Sequence, residues 1–177
     1  MRSWLSRLCR IALLPGIAAI VVAGAWADAR DSVFGHWAGD RSILEIGEHD
    51  GELSARVIAM DDPVYREGEE FGPVGAARRD DLNPDESRRR QPLLGIELLS
   101  EYRFENGRWQ GRIYDPESGN TYSSNMRVDR SGELKMRGYL GLPMFGRTAS
   151  FVPIQRCPEH AQKMLAMAEL GSEVACE

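Results

Sequence analysis

The fold is decided by the stretch Trp109-Gln-Gly-Arg-Ile-Tyr-Asp-Pro-Glu-Ser-Gly-Asn-Thr-Tyr122. Its first six residues have the alternation of a β-strand. A turn is predicted next, because Asp115 can accept hydrogen bonds from the backbone that follows, Pro116 fixes φ and Gly119 tolerates a positive φ. A second strand then starts at Thr121. The stretch therefore predicts a β-hairpin, and Asp115, Pro116 and Gly119 are assigned to its structure.

Similar short strands lie on both sides of this hairpin. Asn106-Gly107, just before it, is a strong signal for a two-residue hairpin turn. We count eight strands joined mostly by tight turns, which predicts an all-β fold, either an eight-stranded antiparallel up-and-down barrel or a sandwich. Residues 158–170 have an apolar stripe at helical spacing and predict a C-terminal helix. Residues 61–92 show no periodicity, and a loop of that length tends to be functional or partly mobile.

The first 27 residues have the composition of a signal peptide. Three arginines precede an apolar run over 11–25, and Ala25-Trp26-Ala27 places small residues at a cleavage site. The alternative is an uncleaved anchor, but the run is shorter than the roughly 18–20 residues that a membrane span needs, and Pro15 interrupts it. We expect cleavage after Ala27, a periplasmic or secreted protein, and no stable membrane span after cleavage.

Charge and cysteine content limit the binding partners and the cellular compartment that we expect for this protein. Without the three arginines of residues 1–27, the chain has 19 basic and 27 acidic residues, a net charge of −8. Such a protein is a poor candidate for nucleic acid or for anionic membrane surfaces. Cys157 and Cys176 are the two cysteines that follow the signal, and in an oxidising compartment we expect them to form a disulfide. The predicted organisation is a signal peptide (1–27), a β-barrel domain (28–154) and a helical extension with the disulfide (155–177).

Several motifs together resemble the exported bacterial family called domain of unknown function 2147. They are Gly35-x-Trp37, Asp81-x-Asn83-Pro84, Pro92-Leu93-Leu94-Gly95, Gly111-x-Ile113-Tyr114-Asp115-Pro116-x-Ser118-Gly119-x-Thr121-Tyr122 and Gly138-Tyr139-x-Gly141 with Gly146-Arg147-Thr148. The resemblance covers about residues 33–151 and implies a lipocalin-like β-barrel in the cell envelope or outside the cell. It implies no activity, because the family has none established.

Gly35-x-Trp37 is also similar to the opening signature of lipocalins. In that family a tryptophan closes the base of the barrel and an arginine from the last strand stacks on it. The resemblance therefore implies that Arg147 stacks on Trp37 through a cation–π contact. We expect this pair to be structural, with contact to a ligand as the alternative.

No motif for catalysis, a metal or a cofactor stands out. Asp115 and Glu117 could divide acid and base work, as could Asp80 and Asp81 on the long loop, but turn carboxylates more often bind backbone. His36, His49 and His160 lack metal-ligand spacing, and residues 80–86 depart from the standard calcium loop. No nucleophile has a predictable histidine beside it. We expect a non-enzymatic protein with no metal or cofactor.

The interior of the barrel is the remaining candidate site. Six large side chains alternate on strands that should line it: Tyr102, Phe104, Trp109, Tyr114, Tyr122 and Met126. They either fill the core or surround one small ligand. Residues 142–145 would form an apolar border if they lie at an open end.

Three functions stay open at this point. The first is an envelope protein that binds or carries a small, mostly hydrophobic ligand. The second is an interaction module with a solid core, acting on an unidentified protein partner through residues 61–92 or 142–145. The third, which we rank last, is a hydrolase or isomerase that uses Asp115, Glu117 or Asp81.

Overall fold

The computed structural model of the chain describes residues 29–50, 52–156, 158–168 and 174. Its strands are β1 (Gly35–Ala38), β2 (Ser42–His49), β3 (Glu52–Met60), β4 (Leu99–Glu105), β5 (Arg108–Asp115), β6 (Asn120–Val128), β7 (Leu134–Tyr139) and β8 (Arg147–Pro153). They form one antiparallel sheet in the order β3-β2-β1-β8-β7-β6-β5-β4. The predicted all-β class and the count of eight strands are confirmed, and the sheet is a barrel rather than a sandwich.

The barrel closes between β3 and β5 through residues 95–98, which we call the closing segment. These residues lie just before β4 and pair with both neighbours. Four backbone hydrogen bonds hold the segment: Val57 to Ile96 (3.3 Å), Gly95 to Val57 (2.7 Å), Leu98 to Ala55 (2.9 Å) and Tyr114 to Leu98 (2.8 Å). The backbone groups that two sheet edges would otherwise expose are thereby partly satisfied.

Hairpin turns set the register on the β4–β7 side of the barrel. Asn106 and Gly107 have φ values of 52° and 73°, the left-handed conformations that a two-residue type I′ turn requires. Gly119, at the next turn, has φ of 68°. A side chain there would also collide with the Leu82 carbonyl oxygen, which lies 2.1 Å from the Cβ position. Both predicted turns are confirmed.

The interior is apolar because alternate residues of each strand point inward. Its buried members include Trp37, Leu44, Ile46, Leu53, Ala55, Val57, Leu98, Trp109, Met126, Leu134 and Met136. A shift of register between Ile43 and Leu44 turns Ile43 and Ala59 to the outer face.

The C-terminal helix α1 (Glu159–Met167) packs outside the barrel on these outward residues. Ala161, Met164 and Leu165 are its buried side chains. They form a second apolar cluster with Ile43, Ala59 and the buried Val174. The predicted helix is confirmed over the nine residues from Glu159 to Met167.

Candidate functional site

The two ends of the barrel differ in how they are filled. We call the end at which β5 begins the closed end, and the end at which β5 finishes and β8 begins the open end. At the closed end Trp109 is 5% exposed. Its indole Nε1 donates to the Arg30 carbonyl oxygen at 2.9 Å, and the Arg30 guanidinium lies 5.5 Å from the ring centroid. Phe104 packs edge-on against the same ring.

Trp37 completes the closed end from β1. Its Nε1 donates to the Val33 carbonyl at 2.8 Å, and Val33 is fully buried. Residues 30–33 therefore lie across this end and satisfy both indole N–H groups. Trp37 is itself buried, and its assignment to a structural role stays a prediction.

The middle of the barrel is also filled. The Tyr102 hydroxyl donates to the buried Ser124 Oγ at 2.7 Å, and its ring covers Gly111, where a Cβ would lie 2.5 Å from the ring. Met126 is fully buried beside them. Burial raises the pKa of Tyr102 to about 12.

A cavity remains at the open end, and we call it the lumen. Its volume is about 270 Å³. Its walls are mostly apolar and consist of Ser42, Leu44, Leu98, Ile113, Met136, Gly138, Arg147, Thr148, Ala149 and Phe151. Gly138 leaves the space open, because a Cβ there would lie 3.6 Å from Tyr122 and 3.8 Å from Ile113.

Arg147 stands at the rim of the lumen. It is in register with Gly138, whose face of β7 points inward, and it is exposed. Within the part of the chain that the structure describes, its guanidinium has no hydrogen bond, ion pair or aromatic partner. A charged group with free donors therefore borders an apolar cavity.

The implied stacking of Arg147 on Trp37 is wrong. Trp37 is in register with Pro153, at the other end of β8 from Arg147. Six residues of strand separate the two positions, about 20 Å at ~3.3 Å per residue. Arg30 takes the expected stacking role on Trp109 instead.

The six aromatic and methionine residues proposed to line the interior lie in three places. Tyr102, Phe104, Trp109 and Met126 belong to the filled part, and Tyr122 lies beside the lumen at Gly138. The interior placement of Tyr114 is wrong. It follows the inward-facing Ile113 and pairs with Thr121, so it points outward from β5. Ligand binding by these six residues stays a prediction.

Tyr114 instead borders a second cavity on the outer side of β5. This outer cleft of about 570 Å³ lies between the barrel and residues 80–91. At its base the Tyr114 hydroxyl donates to Asp80 Oδ1 at 2.6 Å, and the Asn83 amide donates to Asp80 Oδ2 at 2.5 Å. Asp80 is fully buried, and both of its oxygens are used. Burial and the Asp80 carboxylate raise the pKa of Tyr114.

The rest of the long loop is held by similar contacts. Arg78 binds the carboxylates of Asp62 and Glu69 and lies over the Tyr65 ring at 5.6 Å. The Tyr65 hydroxyl donates to Asp81 at 2.5 Å. Polar side-chain contacts therefore hold residues 61–92, with Tyr65, Asp80 and Asn83 buried and most other residues exposed. Asp81 serves as an acceptor within this segment.

Asp115 is the last residue of β5 and begins the turn to β6. Its carboxylate accepts from the Glu117 N–H at 3.1 Å and from the Ser118 hydroxyl at 2.6 Å. The neighbouring Glu117 accepts from Arg41 at 2.6 Å. The contacts of Asp115 hold the turn, in which Pro116 lies between Asp115 and Glu117.

Two further features concern the described ranges alone. In these ranges no three His, Cys, Asp or Glu side chains lie together as a metal site would require. No helix there has both the length and the apolar character to cross a bilayer. The predicted signal peptide, Cys157 and Cys176 lie outside the described residues.

Comparison with known proteins places the fold. Residues 24–152 match the family described as "Uncharacterized protein conserved in bacteria (DUF2147)". The structure is similar to that of protein HP1028 from the human pathogen Helicobacter pylori, described as belonging to the lipocalin family. The TM-score is 0.56 and the identity 22%, over 76% of this chain and 88% of that chain. A comparison with curated proteins gave no match.

Proposed function

The chain belongs to the DUF2147 family and has a lipocalin-like fold, and from this premise we propose that it binds or carries a small, mostly hydrophobic molecule in the lumen. One observation carries the proposal. A barrel that is packed from its closed end to its middle keeps an apolar cavity at its open end. Side chains that could close this cavity are absent at Gly138 and small at Ala149.

The dimensions of the lumen limit the ligand. Its volume of about 270 Å³ lies at the lower end of the ~300–1,000 Å³ typical of ligand sites. It suits a small molecule, or one end of a longer molecule whose remainder extends past the rim. Leu44, Ile113 and Phe151 would contact the apolar part.

Arg147 favours a ligand with an acidic or hydrogen-bond-accepting group at one end. A guanidinium offers five N–H donors, and those of Arg147 are unused within the described residues. A hydrogen bond that involves a charged group contributes about 1.5–3 kcal/mol. We therefore propose an amphiphile whose apolar part enters the lumen and whose polar end meets Arg147.

The test is native mass spectrometry of the protein purified from its own host, followed by organic extraction of anything retained. Gly138→Leu is the matched variant, because the new side chain enters the lumen without a close contact at Cβ. Gly47→Leu is its control, because a Cβ there meets nothing within 4 Å. We expect wild type and Gly47→Leu to retain an apolar molecule and Gly138→Leu to lose it.

Two results would contradict the proposal. One is a bare wild-type protein whose melting temperature does not change with a panel of lipids and other apolar acids. The other is equal retention by wild type and Gly138→Leu, which would place the ligand elsewhere.

The outer cleft supports a second candidate, an interaction module acting through residues 61–92. The observation in its favour is that the larger cavity, about 570 Å³, is bordered by charged side chains of this segment, among them Asp85 and Arg88. It would bind a polar partner rather than an apolar ligand. A bare lumen together with a partner lost on Arg88→Ala would support this candidate.

We also propose that the protein has no catalytic activity and that it is exported from the cytoplasm. Asp115→Asn tests the first point, because we expect it to weaken the turn without removing any measured activity. Fractionation of host cells tests the second, with the protein expected in the periplasm or the medium and its N-terminus at Asp28.

A further inference from the structure

Arginines are concentrated on the outer face of β4–β7. Strand alternation puts them there, because the residues between them point into the barrel. In one row across the sheet Arg103 is in register with Gln110, Gln110 with Asn125, and Asn125 with Arg137. The basic face consists of Arg103, Arg108, Arg112, Arg127 and Arg137.

The charge of the basic face is not neutralised within the described residues. Arg103, Arg108, Arg112 and Arg127 form no ion pair there, although Glu105 is in register with Arg108. The Arg137 guanidinium has neutral acceptors, namely the carbonyls of Pro143 (2.8 Å) and Met144 (3.2 Å) and the Thr148 hydroxyl (2.9 Å). Lys135 differs, because Glu133 and Asp129 pair with it at 2.6 and 3.7 Å.

An exposed apolar segment adjoins the basic face at the open end. Leu140, Leu142, Met144 and Phe145 are 69%, 60%, 72% and 76% exposed, and we call them the apolar lip. Arg137 joins the two surfaces by donating to the carbonyls of the lip. A groove of about 600 Å³ runs between them, with Arg108, Arg127 and Met144 among its walls.

We propose that the basic face and the apolar lip together dock on a bilayer surface that carries anionic phosphate headgroups. Phosphates complement guanidinium groups that lack carboxylate partners. Apolar side chains beside a basic surface can enter the boundary between headgroups and acyl chains. The lip also lies beside the rim of the lumen, so docking would bring the lumen to the membrane. The inference goes beyond the proposed function and rests on different residues.

The net charge of the chain had predicted the opposite. A protein with a charge of −8 after signal cleavage is repelled by an anionic surface if its charges are evenly spread. The structure instead separates the charges, because strand alternation collects arginines on one face. At physiological salt the interaction range is about 8 Å, so a local face can bind while the rest of the protein is acidic.

The experiment is co-sedimentation with vesicles of phosphatidylglycerol and phosphatidylcholine in equal parts, and with vesicles of phosphatidylcholine alone. Because residues 1–27 contain an apolar run and three arginines, which could themselves bind lipid, preparations with the same N-terminus, verified by mass spectrometry, are compared. The test variant is Arg108→Gln/Arg112→Gln/Arg127→Gln. The control, Arg66→Gln/Arg88→Gln/Arg90→Gln, has the same net charge but is changed on the long loop.

We expect wild type and the control to bind the anionic vesicles and the test variant to bind them about 100-fold more weakly, since each arginine near such a surface contributes about fivefold. High salt should weaken wild-type binding. Met144→Ser/Phe145→Ser should reduce it about tenfold, because apolar burial is lost.

Three results would overturn the proposal. They are equal binding to both kinds of vesicle, equal binding by the test and control variants, and an absence of binding by the wild type. Analytical ultracentrifugation in the absence of lipid tests the alternative that the basic face binds a second copy of the chain. Self-association that the test variant abolishes, without vesicle binding, would assign the basic face to a second, acidic copy of the chain.

Discussion

The closed and open ends of the barrel each carry an arginine, in opposite situations. At the closed end Arg30 lies over Trp109 and accepts the indole N–H with its carbonyl, so its backbone and side chain both serve packing. At the open end Arg147 borders the lumen without a partner in the described residues. The same residue type therefore completes the core at one end and leaves an unused charge at the other.

The difference shows how stability and binding are divided along this barrel. Both indole N–H groups are paired at the closed end, where Phe104 also packs against Trp109. The open end has glycine and alanine at inward positions and exposed residues on the first half of β8. Cavities cost packing energy, so a protein keeps one where another requirement applies.

The largest expected effect tests whether the closed end carries the stability. Trp109→Ala should lower the free energy of unfolding by about 3–5 kcal/mol, because a buried aromatic ring is lost. Ile113→Ala, at the lumen wall, should cost about 1–2 kcal/mol, because its side chain is only partly buried. Urea titrations of both variants give the comparison, and equal losses would break it.

The next effect concerns the loop beside the open end. Asp80→Ala removes two charge-assisted hydrogen bonds and takes the acceptor from the Tyr114 hydroxyl and from the Asn83 amide N–H, so we expect a loss of about 3 kcal/mol. Asp85→Ala is the control, because that exposed carboxylate makes local turn contacts with Ser87 and should cost less than about 1 kcal/mol. If both variants unfold alike, Asp80 does not hold the loop.

Alanine substitutions at Arg30 and Arg147 compare the roles of the two arginines directly. Arg30→Ala should cost about 1 kcal/mol, because a cation–π contact and its packing are lost. Arg147→Ala should change stability by less than about 0.5 kcal/mol, because no partner is lost. Retention of an acidic apolar ligand should fall with Arg147→Ala and stay unchanged with Arg30→Ala. The reverse pattern would remove the distinction between the ends.

A pH-dependent effect concerns the filled middle of the barrel. Tyr102 has a pKa of about 12 in the folded protein against an ordinary 10.0. Above pH 10 the unfolded chain therefore releases this proton while the folded protein keeps it. Stability should fall as the pH rises from 10 towards 12.

Tyr102→Phe provides the comparison for that decline. It should cost about 1 kcal/mol at neutral pH by leaving Ser124 unpaired. Denaturation at a series of alkaline pH values should then show a shallower fall for the variant than for the wild type. Parallel curves would mean that Tyr102 does not contribute to the pH dependence.

Local signals predicted the fold better than the site. Asn106-Gly107 and the turn after Asp115 were correctly placed because backbone conformation at a turn depends on adjacent residues. Arg147 was assigned to Trp37 wrongly, because the partner of a side chain depends on the register of strands far apart in sequence. Tyr114 could have been placed correctly by counting alternation from Trp109.

The polar contacts of the long loop gave no sequence signal. The hydrogen bond between Asp80 and Tyr114 joins residues 34 positions apart in the sequence, and the one between Tyr65 and Asp81 joins residues 16 positions apart. Such pairs have no fixed spacing, so the sequence predicted residues 61–92 correctly as an irregular loop but not the polar contacts that hold it. The basic face was missed for a related reason, since net charge is a sum that ignores which face each arginine occupies.

The closing segment has a consequence for the order in which the protein assembles. Most neighbouring strands are joined by short turns and can pair early, whereas β3 pairs with residues 95–98 across the whole long loop, and β1 pairs with β8 across most of the domain. Contacts between such distant parts of a chain form slowly. We therefore expect the amides of Val57 and Leu98 to exchange with deuterium sooner than those in the centre of β6.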